Sequence, residues 1–161
     1  KNKNPEAIYV PGYYTDVALI ARQARELGMR QPLLGGDGWD SQKLYEIGGK
    51  AIEGSFYSNH YSPDDPSPRI QEFVKAYQQR FGSIPDGLAA QGYDAAMVAF
   101  DAMKRASEPA GQPLRDAVAA TRNYPGVTGI ITIDESHDAV KPAVVLEVKG
   151  GKSVYVTTIN P

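Results

Sequence analysis

Ala7-Ile8-Tyr9-Val10-Pro11-Gly12-Tyr13-Tyr14-Thr15-Asp16 changes its hydrophobic rhythm at the Pro-Gly pair, and that change decides the fold. The first four residues are a short β-rich run, which reads as a buried parallel strand. Beyond Gly12 the rhythm becomes helical. Val17, Ile20, Ala21, Ala24 and Leu27 fall on one face, Thr15 is placed to cap the start and Gly28 to stop the end. Residues 31–34 form a second strand and complete a β-α-β unit, which predicts an α/β fold with largely parallel strands.

Gly35-Gly36-Asp37-Gly38-Trp39-Asp40 follows as a glycine-rich turn, Ser41 caps a short helix ended by Gly48-Gly49, and residues 52–58 resume a strand. The run from Tyr61 to Pro68 holds too many prolines for regular structure and reads as a crossover between two lobes. Ser67 and Pro68 then open a helix whose stripe is Ile70, Phe73, Val74, Tyr77 and Phe81, stopped by Gly82. Asp86 begins a long helix with an expected inner face of Leu88, Tyr93, Met97, Phe100 and Met103, and Pro113 opens another. Residues 129–133 read as a strand, and 143–149 with 153–159 alternate around Gly150-Gly151 as a hairpin.

The 161 residues are 42% hydrophobic and 22% charged, enough to bury a core. With 17 basic against 19 acidic residues and no basic run, nothing is suited to neutralising a row of phosphates, so nucleic acid is excluded as a partner. The absence of cysteine removes disulfides, a thiolate nucleophile and Cys-based metal sites. No apolar run approaches the roughly 20 residues of a membrane span. The chain starts at Lys1, without methionine, directly ahead of a strand, so it reads as the inside of a longer protein whose signal peptide lies upstream.

Tyr13 and Asp37 follow successive strand ends, where open α/β sheets gather ligand-contacting residues. An acid between Gly36 and Gly38 has little cover, so a ligand ammonium can approach it, although Asp-Gly pairs equally make turns or cap helices. Tyr13 and Tyr14 offer a ring wall and hydroxyls, or pack as the rim of the first helix. Trp39 lines the apolar end of a pocket or covers the sheet edge. His60 and His137 are too poorly accompanied for a metal site, and residues 134–138 lack the glycine and distal glutamate of a calcium loop. With no dinucleotide fingerprint, Walker segment or nucleophile elbow, no cofactor, no metal and no catalytic residue is predicted.

The run from Ile8 to Asp40 resembles the second lobe of the periplasmic solute-binding proteins that capture branched-chain amino acids for ABC transporters. The likeness continues through Glu53-Gly54, Asn59-His60-Tyr61-Ser62-Pro63, Gly92-Tyr93-Asp94-Ala95, Gly126-Val127-Thr128-Gly129 and Val144-Val145-Leu146, covering nearly the whole chain in one order. It implies a type I periplasmic-binding-protein-like α/β fold with three-layer α/β/α sheets, of which this chain carries the second lobe and part of the first. The second lobe would span residues 6–58 and 142–155, the C-terminal part of the first lobe 62–138, and the hinge crossovers 59–61 and 139–141.

The same resemblance implies a non-enzymatic, extracytoplasmic protein, periplasmic or lipid-anchored, that binds a small amino acid between two lobes and hands it to a permease. By position, Tyr13 contacts the amino acid and Asp37 takes its ammonium, while Leu88 matches a site near the ligand that is aromatic in some members. Some members carry glutamate at the position of Asp37. Aspartate reaches one methylene less, so the ligand sits deeper or a water bridges. The ligand's carboxylate would be held by the upstream half, and the sheet edges left open in this piece can pair with another copy. Two rival readings are a sensor domain of the same fold for amino acids, amides or aromatic acids, and an α/β enzyme with Asp37 as general base. Against the enzyme stands the lack of any paired catalytic group.

Overall fold

A computed structural model describes Lys3 and residues 5–161. In chain order the elements are β1 (Ile8–Tyr9), α1 (Tyr14–Glu26), β2 (Leu33–Gly35), α2 (Gln42–Gly48), β3 (Phe56–Asn59), α3 (Pro68–Phe81), α4 (Gly87–Arg105), α5 (Gly111–Ala119), β4 (Tyr124–Gly126), β5 (Gly129–Ile133), β6 (Ala139–Val140), β7 (Ala143–Lys149) and β8 (Lys152–Ile159). Single 3-10 turns occupy Asp37–Trp39 and Gly49–Ala51.

β1, β2 and β3 pair in parallel, with Ile8 opposite Leu33 and Leu34 opposite Phe56. β7 and β8 extend the sheet antiparallel, giving the order β1-β2-β3-β7-β8. Parallel neighbours need crossovers, and α1 and α2 supply them. Both crossovers step the same way across the sheet, so right-handed connections put both helices on one face. There Val17, Ala18, Ala21 and Leu44 bury against Leu33, Tyr57, Leu146 and Val148.

The chain leaves this sheet after Asn59 and rejoins it at Ala143. Between those points lie α3, α4, α5 and the small antiparallel sheet β4-β5-β6, with Tyr61, Phe73, Ala90 and Val127 as a second buried cluster. Asp94 holds this part together. Its carboxylate, almost fully buried, accepts from Val127 N–H at 2.8 Å and Thr128 N–H at 2.7 Å. In Asp94→Asn, the amide NH2 faces one of those donors, and we expect a loss of about 2 kcal/mol in stability by urea denaturation. An unchanged midpoint would remove the carboxylate from this account.

Several elements start elsewhere than the sequence pattern predicts. The N-cap of α1 is Tyr13, not Thr15: the Tyr13 carbonyl accepts from Val17 N–H at 3.1 Å. The buried face of α1 is Val17, Ala18, Ala21 and Ala24, while Ile20 and Leu27 are exposed, because alanines allow close approach to the sheet and α2. β3 begins at Phe56 rather than at residue 52, since Ile52 is buried under the helices and Gly54, at φ +69°, turns the chain. α5 opens at Gly111, and Pro113 sits in its first turn, where its missing N–H costs nothing. β4 went unpredicted because Pro125 argues against a strand. It is an edge strand, where proline is tolerated.

The long helix also turns the other way. The buried face of α4 is Gly87, Ala90, Asp94, Val98 and Ala102, whereas Leu88, Tyr93, Phe100 and Met103, expected inside, are exposed and Met97 is half-buried. Of this stripe, Tyr93 packs on Phe73 of α3 with ring centroids 4.9 Å apart, while Leu88, Phe100 and Met103 stay exposed. The closing hairpin matches its pattern: Lys149 lies opposite Lys152, and Gly150 and Gly151 take φ +64° and +74°, the left-handed pair that a two-residue turn requires.

Candidate functional site

β1 and β2 end side by side, so the loops that follow them leave the same edge of the sheet. The loops touch through Gly38: a Cβ there would lie 2.8 Å from the Gly12 carbonyl oxygen and 3.2 Å from Tyr13 Cδ1. Beneath them is Trp39, and its position corrects the sequence reading. The indole is fully buried, donates from Nε1 to the Val10 carbonyl at 3.2 Å and packs on Tyr57 with ring centroids 5.8 Å apart. It lines no pocket. Instead it clamps the Asp37–Trp39 turn to the end of β1, which leaves Asp37 at the surface with its side chain 64% exposed.

Tyr13, 73% exposed, and Asp37 stand between two adjoining hollows. One, of about 270 Å3, is bounded by Tyr9 and Pro11. The other, of about 230 Å3, is bounded by Tyr14, Asp40, Asn59, Leu88 and Gln91. Leu88, 77% exposed, comes from the first turn of α4, so the second hollow collects the three accessible site residues expected from the sequence and lies between the five-stranded sheet and the helical part. The junction is pinned by Asp40, whose Oδ2 accepts from Gly87 N–H at 3.0 Å and faces the positive end of the helix. Asp86 caps the same helix through Ala89 N–H at 2.8 Å.

Three residues here escaped the sequence reading. Asp40 and Asn59 line the hollow, and His60 places Nε2 3.2 Å from Asp37 Oδ2. One signal was available: β3 is a parallel strand whose carboxyl end borders the same edge, so Asn59, its last residue, and His60, the next, sit at the edge where Tyr13 follows β1.

Behind His60 lies the crossover. The half-buried Lys141 ammonium donates to the carbonyls of His60 (3.2 Å), Thr128 (3.0 Å) and Pro142 (3.1 Å), three segments held by one group. Burial lowers its pKa, while the Asp94 carboxylate acts in the opposite direction. Lys141→Met keeps the apolar stem but drops all three donors, with an expected loss of about 1–2 kcal/mol in stability. Thermal unfolding with the parent's midpoint would contradict this. Nearby, the Tyr61 hydroxyl is buried without a partner among the described residues, and burial, followed by Asp40, Asp64 and Asp86, raises its pKa and keeps it neutral.

The arrangement offers the exposed Asp37 carboxylate with the half-buried Asp40 behind it, phenols, the amides of Asn59 and Gln91 and a leucine at a junction between two packed units. It suits a small ligand with a cationic group and an apolar body. Among the described residues no group of three or more His, Cys, Asp or Glu is placed to hold a metal ion. No helix among them is long and apolar enough to cross a membrane.

Fold and site together define an α/β protein with a candidate small-ligand site at the junction of two packed units. The chain belongs to the periplasmic binding protein family, whose profile matches residues 1–152. It is similar to the leucine-binding protein LivK of Thermotoga maritima, with 45% identity and a TM-score of 0.92, covering 99% of this chain and 46% of that one. It is also similar to LivJ of Streptococcus pneumoniae, solved in complex with isoleucine, with 28% identity and a TM-score of 0.85 over 99% of this chain and 46% of that one. Among curated proteins, the Leu/Ile/Val-binding protein homolog 1 of Brucella suis is 28% identical over 147 residues, 91% of this chain and 39% of its own length. The chain thus spans less than half the length of these relatives, all of which are binding proteins by name.

Proposed function

We propose that this chain is the C-terminal portion of a two-lobed extracytoplasmic binding protein that captures a branched-chain or similar small amino acid and delivers it to an ABC permease. The observation that carries this reading is the exposed Asp37 carboxylate, held at the junction of two strand-end loops with Tyr13 beside it and Leu88 across the hollow. Asp37 takes the ammonium, Tyr13 forms a wall and Leu88 faces the apolar side chain. Residues 6–58 and 142–155 make up the second lobe, 62–138 part of the first, and 59–61 with 139–141 the hinge. The exposed Phe100 and Met103 on α4 support this division, because the rest of a first lobe would cover them.

The protein works by capture rather than catalysis. Closure is a hinge motion, and a ligand favours the closed state only by touching both lobes. The names of the related proteins support leucine-like ligands. Calorimetric titration of the full-length protein with L-leucine, L-isoleucine and L-valine should show saturable one-to-one binding. Failure of all three, together with co-purification of a compound lacking an amine, would overturn the reading.

A further inference from the structure

We propose that His60 is the positioning residue for Asp37, and that through Lys141 it ties the orientation of the ammonium-binding carboxylate to the crossover between the two units. This rests on the reading of Asp37 as the ammonium site. Four observations support it. His60 Nε2 lies 3.2 Å from Asp37 Oδ2 across 23 residues of sequence. No hydrogen bond among the described residues engages Oδ1, so one oxygen is held by the imidazole and the other is left for a ligand. The backbone of His60 is itself fixed: its N–H donates to Asn59 Oδ1 at 2.8 Å, and its carbonyl accepts from Lys141 Nζ at 3.2 Å. The same ammonium reaches the Thr128 carbonyl, while Thr128 N–H donates to the buried Asp94.

A continuous run of polar contacts therefore leads from Asp37 through His60, Lys141 and Thr128 to Asp94 on α4. It begins at the candidate ligand carboxylate and ends in the helical part, passing through both crossover segments. Asp37 sits on a three-residue turn with no neighbouring side chain of its own to hold it, since Gly36 and Gly38 flank it. Without His60, the carboxylate would sample several rotamers, and each binding event would have to order it. An Nε2–H donated by the imidazole orders the carboxylate beforehand. A second carboxylate partner of fixed positive charge would instead compete with the ligand.

The test compares His60→Ala, His60→Gln and His60→Asn in the full-length protein, with leucine titrations by calorimetry and unfolding midpoints measured without ligand. We expect His60→Ala to lose about tenfold in leucine affinity, the scale of one hydrogen bond to a charged group. Glutamine, whose amide N–H can reach Asp37, should recover most of the loss, whereas the shorter asparagine should not, and the midpoints should stay at the parent value. Parental affinity in His60→Ala, or equal losses in the alanine and glutamine variants, would overturn the assignment, as would losses that follow a fall in the midpoint. If the parent itself binds no amino acid, the ammonium-site reading fails first, and this outcome is distinguishable because it appears before any substitution.

Discussion

Trp39→Ala should destabilise the protein by about 3–5 kcal/mol, the range for deleting a large buried aromatic side chain. Three losses combine. The indole is fully buried among residues of the main core and packs on Tyr57, so its removal opens a cavity under both strand-end loops. Its Nε1–H no longer satisfies the Val10 carbonyl. The space cannot refill easily, because Gly35 has no side chain: a Cβ there would fall 2.0 Å from Trp39 Cε2, so the backbone of β2 is shaped around the ring. Urea denaturation followed by far-ultraviolet circular dichroism measures the loss, and Trp39→Phe should fall between parent and alanine. The turn carrying Asp37 is clamped by this ring, so ligand affinity should fall as well. A stable Trp39→Ala protein with full affinity would show that the turn holds itself.

Asp37→Ala should weaken binding of leucine-like amino acids to the full-length protein by about 2–4 kcal/mol, the scale for leaving a ligand charge without its partner in a closed site. The argument depends on solvent. Asp37 is exposed in the open hollow, where water screens it, and a contact with an ammonium becomes strong once a second lobe excludes that water. Asp37→Asn separates charge from shape, and it should lose nearly as much as alanine because the amide cannot supply the negative charge. Calorimetry reads both variants. Affinity unchanged in either one would remove Asp37 from the site and leave it as the turn residue that its Asp-Gly sequence also permits.

The three accessible site residues expected from the sequence, Tyr13, Asp37 and Leu88, line one hollow, although they lie far apart in the chain. Tyr13 and Asp37 could be found because strand ends are visible in the pattern: a β-rich run broken by glycine marks the carboxyl edge of a parallel sheet, and α/β folds place ligands there, whereas Leu88, in the first turn of α4, was implied only by the family resemblance. Trp39 could not be placed in the same way. A tryptophan beside a candidate site reads equally as pocket or core, and only its full burial against Gly35, where a Cβ would fall 2.0 Å from Cε2, decides for the core. The face of α4 was read in reverse for a related reason. Large apolar residues on a helix signal burial, but here small residues and one carboxylate face this chain's own fold, and the large ones point outward.

The sequence alone determined the β-α-β beginning, the helix starts at Ser67-Pro68 and Asp86, the glycine-turned hairpin and the family resemblance. All of these are local or colinear properties, written in spacing, caps and turn residues. The tertiary structure decided which distant groups meet: His60 on Asp37, Asp40 on the amide of Gly87, and Lys141 on three carbonyls. Those contacts span up to 81 residues and arise from where the crossover brings its segments together. Such a contact has no local spacing for a sequence to show, because its energy depends on a distance that only the folded chain sets.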